Sequence, residues 1–424
     1  MPTTTLRGPA GPFIADAGVP GDKSLSHRAL FLAAMADGES RVTGLGPGRD
    51  VASTAAALRL LGATVGNGRV SSGGIGAWRD AGAPIDAGNS GTTLRLLAGA
   101  LAGRPFRSTL VGDESLMRRP MGRLVGPLGA LGARVETSDA ATPPVSVGGD
   151  RLVGADVTIP IASAQVRSAV ALAALQAEGA STIDSPPGYR DHTERWLMSL
   201  GLGERLEGER FRVHPGPVPP AVYDVPGDPS SAAYLLAAAA LAPGASVTVR
   251  RISLNPGRSG FIDVLRAMGV DVAIEVTGDV LGDPVGDVRV RGAALSGVRI
   301  DGDLVARTLD EIPLLAVLAA AAEGETVVAD AVELRVKESD RVATTVAMLR
   351  ALGAEAEEAE DGFRVVGGFL SPGEVESEGD HRIALAAAVA APVAGEVTID
   401  GFEATDVSWP GFAEVLEQVW ASSR

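Results

Sequence analysis

Two kinds of helical pattern alternate along this chain. In one, nearly every position is small or apolar, as in Ala29 to Met35, Ala232 to Ala242 and Ile383 to Ala394. A helix without a polar stripe must be buried on all sides. In the other, Arg and Glu are spaced between apolar positions and the segment closes on Leu-x-x-Leu/Met-Gly, at Leu58–Gly62, Leu128–Gly132, Leu197–Gly201, Leu265–Gly269 and Leu349–Gly353. Glycine at that place predicts a left-handed C-terminal cap on an amphipathic helix that faces water. Short Val-rich runs, such as Arg134-Val135 and Val270-Asp271-Val272, follow as strands. A last segment of this kind, Leu416–Val419, lies near the end of the sequence and has no closing glycine.

The alternation is a repeat. Gly21-Asp22-Lys23-Ser24 opens an apolar segment that ends at Gly38, with Ser40 and a strand-like run beyond it. Gly227-Asp228-Pro229-Ser230 opens another that ends at Gly244, with Ser246 and a strand-like run beyond; the two align without a gap. Similar segments begin near Gly88, Ser163, Asp310 and Gly379. Each unit reads as helix, strand, helix, strand, so the fold class is α/β built from six copies. Six copies exceed one comfortable core, and a split into two groups of three, at halves of the chain, is the natural division. An open solenoid is the alternative, and the uneven spacing of the six starts speaks against it.

Composition narrows the chemistry. Only 4% of the 424 residues are aromatic, so the cores must be built from Ala, Val and Leu. The chain has no cysteine, which removes disulfides, thiolate metal sites and a cysteine nucleophile and fits a reducing compartment. Residues 1–20 lack a basic start followed by an apolar run, and no apolar stretch reaches the 18 or more residues of a membrane span. A cytoplasmic protein with no membrane partner is expected. A net charge of −16 argues against a nucleic-acid surface. Among 37 basic residues only Lys23 and Lys337 are lysine, a compact titratable ammonium where the other cations are guanidinium forks.

The repeat acts as an internal control. Copies one and four share Gly, Asp, Ser and the apolar positions, and Asp228-Pro229 predicts an N-cap with proline at the first helical position. Copy one has Lys23 where copy four has Pro229, and Ser26, His27 and Arg28 where copy four has Ala232, Ala233 and Tyr234. Those polar residues are not required by the architecture. Cations also crowd other helix starts: Arg118-Arg119 before Pro120, a predicted first helical position; Arg335, Lys337 and Arg341 at a helix running to Leu352; His381 and Arg382 after Gly379-Asp380. Positive side chains there oppose the helix dipole unless an anion is bound. Among the carboxylates, Asp310 lies between Thr308 and Glu311, which could form a capping box. Glu338 has a helix salt bridge to Arg341 as its plain reading, and Asp340 is a first-turn charge. His192 and His214 show no metal-ligand spacing, so no metal site is expected.

With these residues in view, the sequence resembles the EPSP synthases of the enolpyruvyl transferase family over nearly its whole length. The resemblance is carried by Gly21-Asp22-Lys23-Ser24-Leu25-Ser26-His27-Arg28, Gly88-Asn89-Ser90-Gly91-Thr92, Arg119-Pro120-Met121, Ser163-Ala164-Gln165, Leu334 through Arg341, and Asp380-His381-Arg382-Ile383-Ala384. It implies six βαβαββ units in two three-unit domains, an inside-out α/β barrel architecture. Residues 20–226 would form one domain and residues 1–19 with 227–424 the other, the chain crossing twice near 20 and 226, with the active site in the cleft. It implies enolpyruvyl transfer from phosphoenolpyruvate to shikimate 3-phosphate by a cofactor-free, metal-free monomer. By position, Lys23, Ser24, Arg28, Ser163, Ala164, Gln165, Arg190, Asp310 and Lys337 would bind shikimate 3-phosphate. Lys23, Gly91, Arg119, Gln165, Arg341 and Arg382 would bind phosphoenolpyruvate. Asp310 would take the proton of the attacking hydroxyl, Glu338 would protonate and deprotonate the methylene carbon, and Lys23 would assist at the reacting centre.

The chain departs from the pattern at Val407 and Glu333, where many members carry Lys and Asn. Two rivals remain at this point: an enolpyruvyl transferase acting on UDP-N-acetylglucosamine, which ordinarily uses a loop cysteine, and a non-catalytic repeat scaffold for anionic partners.

Overall fold

A computed structural model describes residues 3–149 and 151–422; residues 1 and 424, at the expected domain limits, lie outside them. Contacts divide the chain into two compact units. The first comprises Gly21–Pro226 with Asp279–Asp283; the second gathers residues up to Pro20, Gly227–Gly278 and residues from Pro284 onward.

The first unit holds three apolar helices, Lys23–Met35, Gly91–Leu101 and Ala164–Ala174, and the second holds Pro229–Ala240, Ile312–Ala320 and His381–Val389. Each is buried almost throughout and forms the heart of its unit's hydrophobic cluster. Alanine lets such helices come close: a Cβ on Gly99 would overlap the Ala169 carbonyl of the neighbouring helix. The amphipathic helices, among them Arg49–Leu60, Gly260–Ala267 and Arg341–Ala351, keep part of their surface exposed. The predicted glycine caps at 62, 132, 201, 269 and 353 all have φ between 73° and 109°, where a side chain would be strained.

Sheets repeat one plan. In the clearest copy Ile85–Asp86 pairs parallel with Arg107–Val111, which pairs antiparallel with Val145–Gly148, which in turn pairs antiparallel with Val135–Glu136. The parallel step is crossed by the buried helix, and the antiparallel steps bracket the amphipathic one. Five four-stranded sheets and one three-stranded sheet of this kind are present among the described residues. Two strands are exchanged relative to chain order. Ile14–Ala17, which precedes the first buried helix, pairs with Ser246–Ser253 in the second unit. Val222–Asp224, which precedes the fourth buried helix, pairs with Asp37–Thr43 in the first unit. The sixth sheet is completed by Thr3–Arg7, antiparallel to Glu396–Asp400. The fold is therefore α/β, with six βαβαββ-type repeats grouped three and three.

Two local expectations are corrected. Pro120 does not begin a helix: Arg119 is extended after a 3-10 turn, Met121 N–H donates to the Ala141 carbonyl, and the α-helix begins at Val125. Thr308 and Glu311 do not form a capping box. The Thr308 hydroxyl donates to the Leu304 carbonyl within its own helix, Gly302–Thr308, and Glu311 turns inward to the Ser230 hydroxyl.

Candidate active site

Five of the six buried helices start on a side-chain cap. Asp22, Ser90, Ser163, Asp228 and Asp380 accept from the backbone N–H of Leu25, Thr93, Val166, Ser230 and Arg382, each worth about 1 kcal/mol. In each unit, side chains tie the three starts to one another. Lys23, Ser24, Gly91, Ser163, Ala164, Gln165, Asp310 and Arg382 lie at or just before such starts, where free amides and helix dipoles favour anions.

In the first unit Lys23 is the first helical residue, a quarter exposed at 25%, and its Nζ lies 3.1 Å from Asp50 Oδ2. Ser24 offers its carbonyl to Arg28 Nη1. Arg28 itself turns into the interior, its Nε and Nη2 donating to Thr193 and Ser168 hydroxyls, each at 2.8 Å. Burial lowers the Arg28 pKa to about 10, against the opposing pull of Glu194 and Asp22. Arg190 is half-buried and adds its charge to the same surroundings.

Gly91 opens the second buried helix, and a Cβ there would sit 2.8 Å from Arg95 Nη1. That guanidinium donates to Gln165 Oε1, while Gln165 Nε2 donates to Thr92 Oγ1 at 2.8 Å. Gln165, one residue beyond Ala164 and two beyond the Ser163 cap, is thus held across two helix starts. Arg119 Nη2 donates to Asn89 Oδ1 at 2.6 Å and Ser115 Oγ at 3.3 Å. Arg95 escaped the sequence reading because it looks like one charge inside an apolar helix; Asn89 stood in a quoted motif without a role.

In the second unit Arg341 is the hub. Its side chain is 2% exposed. Nε and Nη2 bracket Asp380 at 2.8 and 3.2 Å, Nη2 also reaches Glu338 at 2.5 Å, and Nη1 lies 3.6 Å from Asp310. Burial alone would lower the Arg341 pKa; Asp380 and Glu338 outweigh it and hold the guanidinium charged. Ser339 donates to Asp380 as well. Asp340, read as a mere first-turn charge, caps the amphipathic helix by accepting from Val342 and Ala343 N–H.

Lys337 is 23% exposed and lies 3.8 Å from the Glu333 carboxylate. Burial lowers its pKa, partly offset by Asp310 and Glu333. Arg382 is buried, with Nη1 3.4 Å from the Tyr234 hydroxyl. Val407 ends the 3-10 helix Phe402–Val407. The first unit offers a quarter-exposed ammonium with fixed guanidinium groups, and the second offers another such ammonium with two partly exposed carboxylates, Asp310 and Glu338, on one arginine. Such a set suits phosphate and carboxylate binding with proton transfer. Among the described residues no group of three or more His, Asp or Glu is placed to hold a metal ion, and no helix is long and apolar enough to cross a membrane.

Comparison with known proteins agrees with this chemistry. Residues 11–416 match the family model described as EPSP synthase (3-phosphoshikimate 1-carboxyvinyltransferase). The chain is 47% identical to the 3-phosphoshikimate 1-carboxyvinyltransferase of Halorhodospira halophila, over 97% of this chain and 95% of that protein. It is 47% identical to the one from Herpetosiphon aurantiacus, over 95% and 96%. The EPSP synthase structure from Acinetobacter baumannii superposes with a TM-score of 0.87 at 37% identity, covering 98% of each chain. The enolpyruvyl transferase NikO of Streptomyces tendae shares the fold, with a TM-score of 0.77 at 20% identity over 98% of this chain and 96% of that one.

Proposed function

The chain belongs to the EPSP synthase family, and from that premise we propose how its own residues carry the reaction. It transfers the 1-carboxyvinyl group of phosphoenolpyruvate to the 5-hydroxyl of shikimate 3-phosphate, giving 5-enolpyruvylshikimate 3-phosphate and phosphate, in the shikimate pathway to aromatic amino acids. It does so in the cytoplasm, a reading favoured by the cysteine-free composition, and as a monomer.

Lys23, Ser24, Arg28, Ser163, Ala164, Gln165, Arg190 and Lys337 hold shikimate 3-phosphate. Gly91, Arg119, Arg341 and Arg382 surround phosphoenolpyruvate, with Lys23 and Gln165 reaching both substrates. C3 of phosphoenolpyruvate gains a proton, C2 becomes cationic, and the 5-hydroxyl attacks C2 while its proton passes to Asp310. The tetrahedral adduct then loses phosphate from C2 and a proton from C3, restoring the double bond. Glu338 gives and takes the C3 proton, and Lys23 stabilises charge at the reacting centre. The observation that carries this reading is the Arg341 hub: one buried guanidinium holds Asp310 and Glu338 near Lys337. Arg28, whose three nitrogens all donate within the protein, serves shikimate 3-phosphate through its field and its hold on the Ser24 carbonyl.

The test is phosphate release from phosphoenolpyruvate, expected only when shikimate 3-phosphate is present. Turnover with UDP-N-acetylglucosamine instead, or with neither acceptor, overturns the assignment. The lysines give a second test. Arginine keeps the charge but replaces a compact ammonium by a wide fork, so Lys23→Arg and Lys337→Arg should each lower kcat far more than they lower Tm. Near-parental kcat in both variants would remove their special role. Because the Lys337 pKa is lowered, the alkaline loss of activity should begin below the ordinary lysine range and shift upward in any residual activity of Lys337→Arg.

A further inference from the structure

His27 stands in the first motif, yet it points into the core and not toward solvent. It is fully buried, and its Nδ1 lies 2.7 Å from Thr54 Oγ1. Thr54 Oγ1 lies 2.6 Å from Thr93 Oγ1, and Thr93 Oγ1 in turn donates toward Ser90 Oγ at 2.8 Å and the Asp50 carbonyl at 3.3 Å. Thr54, Thr93 and Ser90 are all buried.

The hydroxyls carry one proton each, and this fixes the direction of the chain. The Asp50 carbonyl can only accept, and the Thr93 hydroxyl is the donor toward Ser90 Oγ, so Thr93 donates onward. Thr54 must then donate to Thr93, and His27 Nδ1–H must donate to Thr54. The opposite sense would leave an Nε2–H donor buried, where Nε2 has no partner, and orphaned buried donors are the rarer defect. Burial, with Lys23 and Arg28 close by, keeps the ring neutral.

We propose that His27 is a positioning residue: through Thr54 and Thr93 its Nδ1–H sets both the Asp50 that holds Lys23 and the Ser90-capped helix start that carries Gly91. One buried donor thereby aligns a shikimate 3-phosphate ligand and a phosphoenolpyruvate ligand together. This rests on the roles given above to Lys23 and Gly91.

Asparagine places an amide N–H where Nδ1 stands; leucine fills the space without a donor. His27→Leu and Thr54→Val should each raise both KM values about three- to tenfold, the scale of one lost buried hydrogen bond, while His27→Asn stays within about twofold of the parent. A core truncation with a similar loss of Tm, Val147→Ala, should leave both KM values unchanged. Parental KM values in His27→Leu (or in Thr54→Val, should the first variant not fold), or equal impairment in His27→Asn, overturn the proposal. Nitrogen NMR of the His27 ring, identified by its loss in His27→Asn, should show the Nδ1–H tautomer at neutral pH, and an Nε2–H tautomer overturns it. That spectrum decides the matter even if the parent shows no turnover, an outcome that would instead remove the functional assignment.

Discussion

Asp310→Asn is expected to lower kcat by about 10²–10³-fold, within the range of a lost general base, and to leave Tm nearly unchanged. Asparagine has the size and shape of aspartate but cannot take the proton of the 5-hydroxyl. The Asp310 side chain is 20% exposed and lies 3.6 Å from Arg341 Nη1, while Asp380 and Glu338 are the closer partners of that guanidinium. Asparagine keeps the shape of the side chain, so folding should lose little. Because the substitution removes a group acting in the transition state, kcat and kcat/KM should fall together, with KM for shikimate 3-phosphate moving much less. A kcat within a few-fold of the parent in steady-state assays would show that the proton goes elsewhere.

Arg341→Gln should damage fold and function together, and it is the substitution expected to cost most stability. It removes the shared partner of Asp380, which is fully buried, and of Glu338 and Asp310. Leaving a buried charge without its partner typically costs about 3–5 kcal/mol. Asp380 also caps the helix His381–Val389, whose second residue is Arg382, so the loss spreads to another predicted phosphoenolpyruvate ligand. A clear drop in the urea midpoint, with phosphate release below one-hundredth of the parent's, roughly 10²-fold, is the expected pair of results. A parental midpoint would mean that Arg341 is there for the ligand alone.

The features legible in the sequence were those set by local physics. The copies at Asp22 and Asp228 gave helix starts, since a short carboxylate before an apolar run has few other uses, and the Leu-x-x-Leu/Met-Gly closures gave helix ends that prove left-handed in the structure. Lys23 stood out because it breaks the pattern shared by copies one and four, and Lys337 as the other lone lysine, whereas Asp310 and Glu338 read as a capping box and a helix salt bridge and were singled out only by the family resemblance. Pro120 misled because proline at a first helical turn and proline after an extended residue look alike from sequence. Glu311 misled because its partner, Ser230, lies far away in sequence. The inward turns of His27 and Arg28 were equally hidden: both read only as polar residues that the repeat does not require, and the Thr54, Thr193 and Ser168 hydroxyls explain their burial.

The exchanged strands have a consequence for biosynthesis. Residues 21–226 contain every strand their own three sheets need, the last being Val222–Asp224. That part of the polypeptide can pair its sheets while later residues are still being translated, and Asp279–Asp283, with Asp283 buried against His192, completes its core afterwards. Thr3–Arg7 and Ile14–Ala17, though made first, must wait for partners at Glu396–Asp400 and Ser246–Ser253. Until then they are unpaired edges leading a set of sheets already paired, a vulnerable stage at which strand pairing with a neighbouring nascent chain competes with completion.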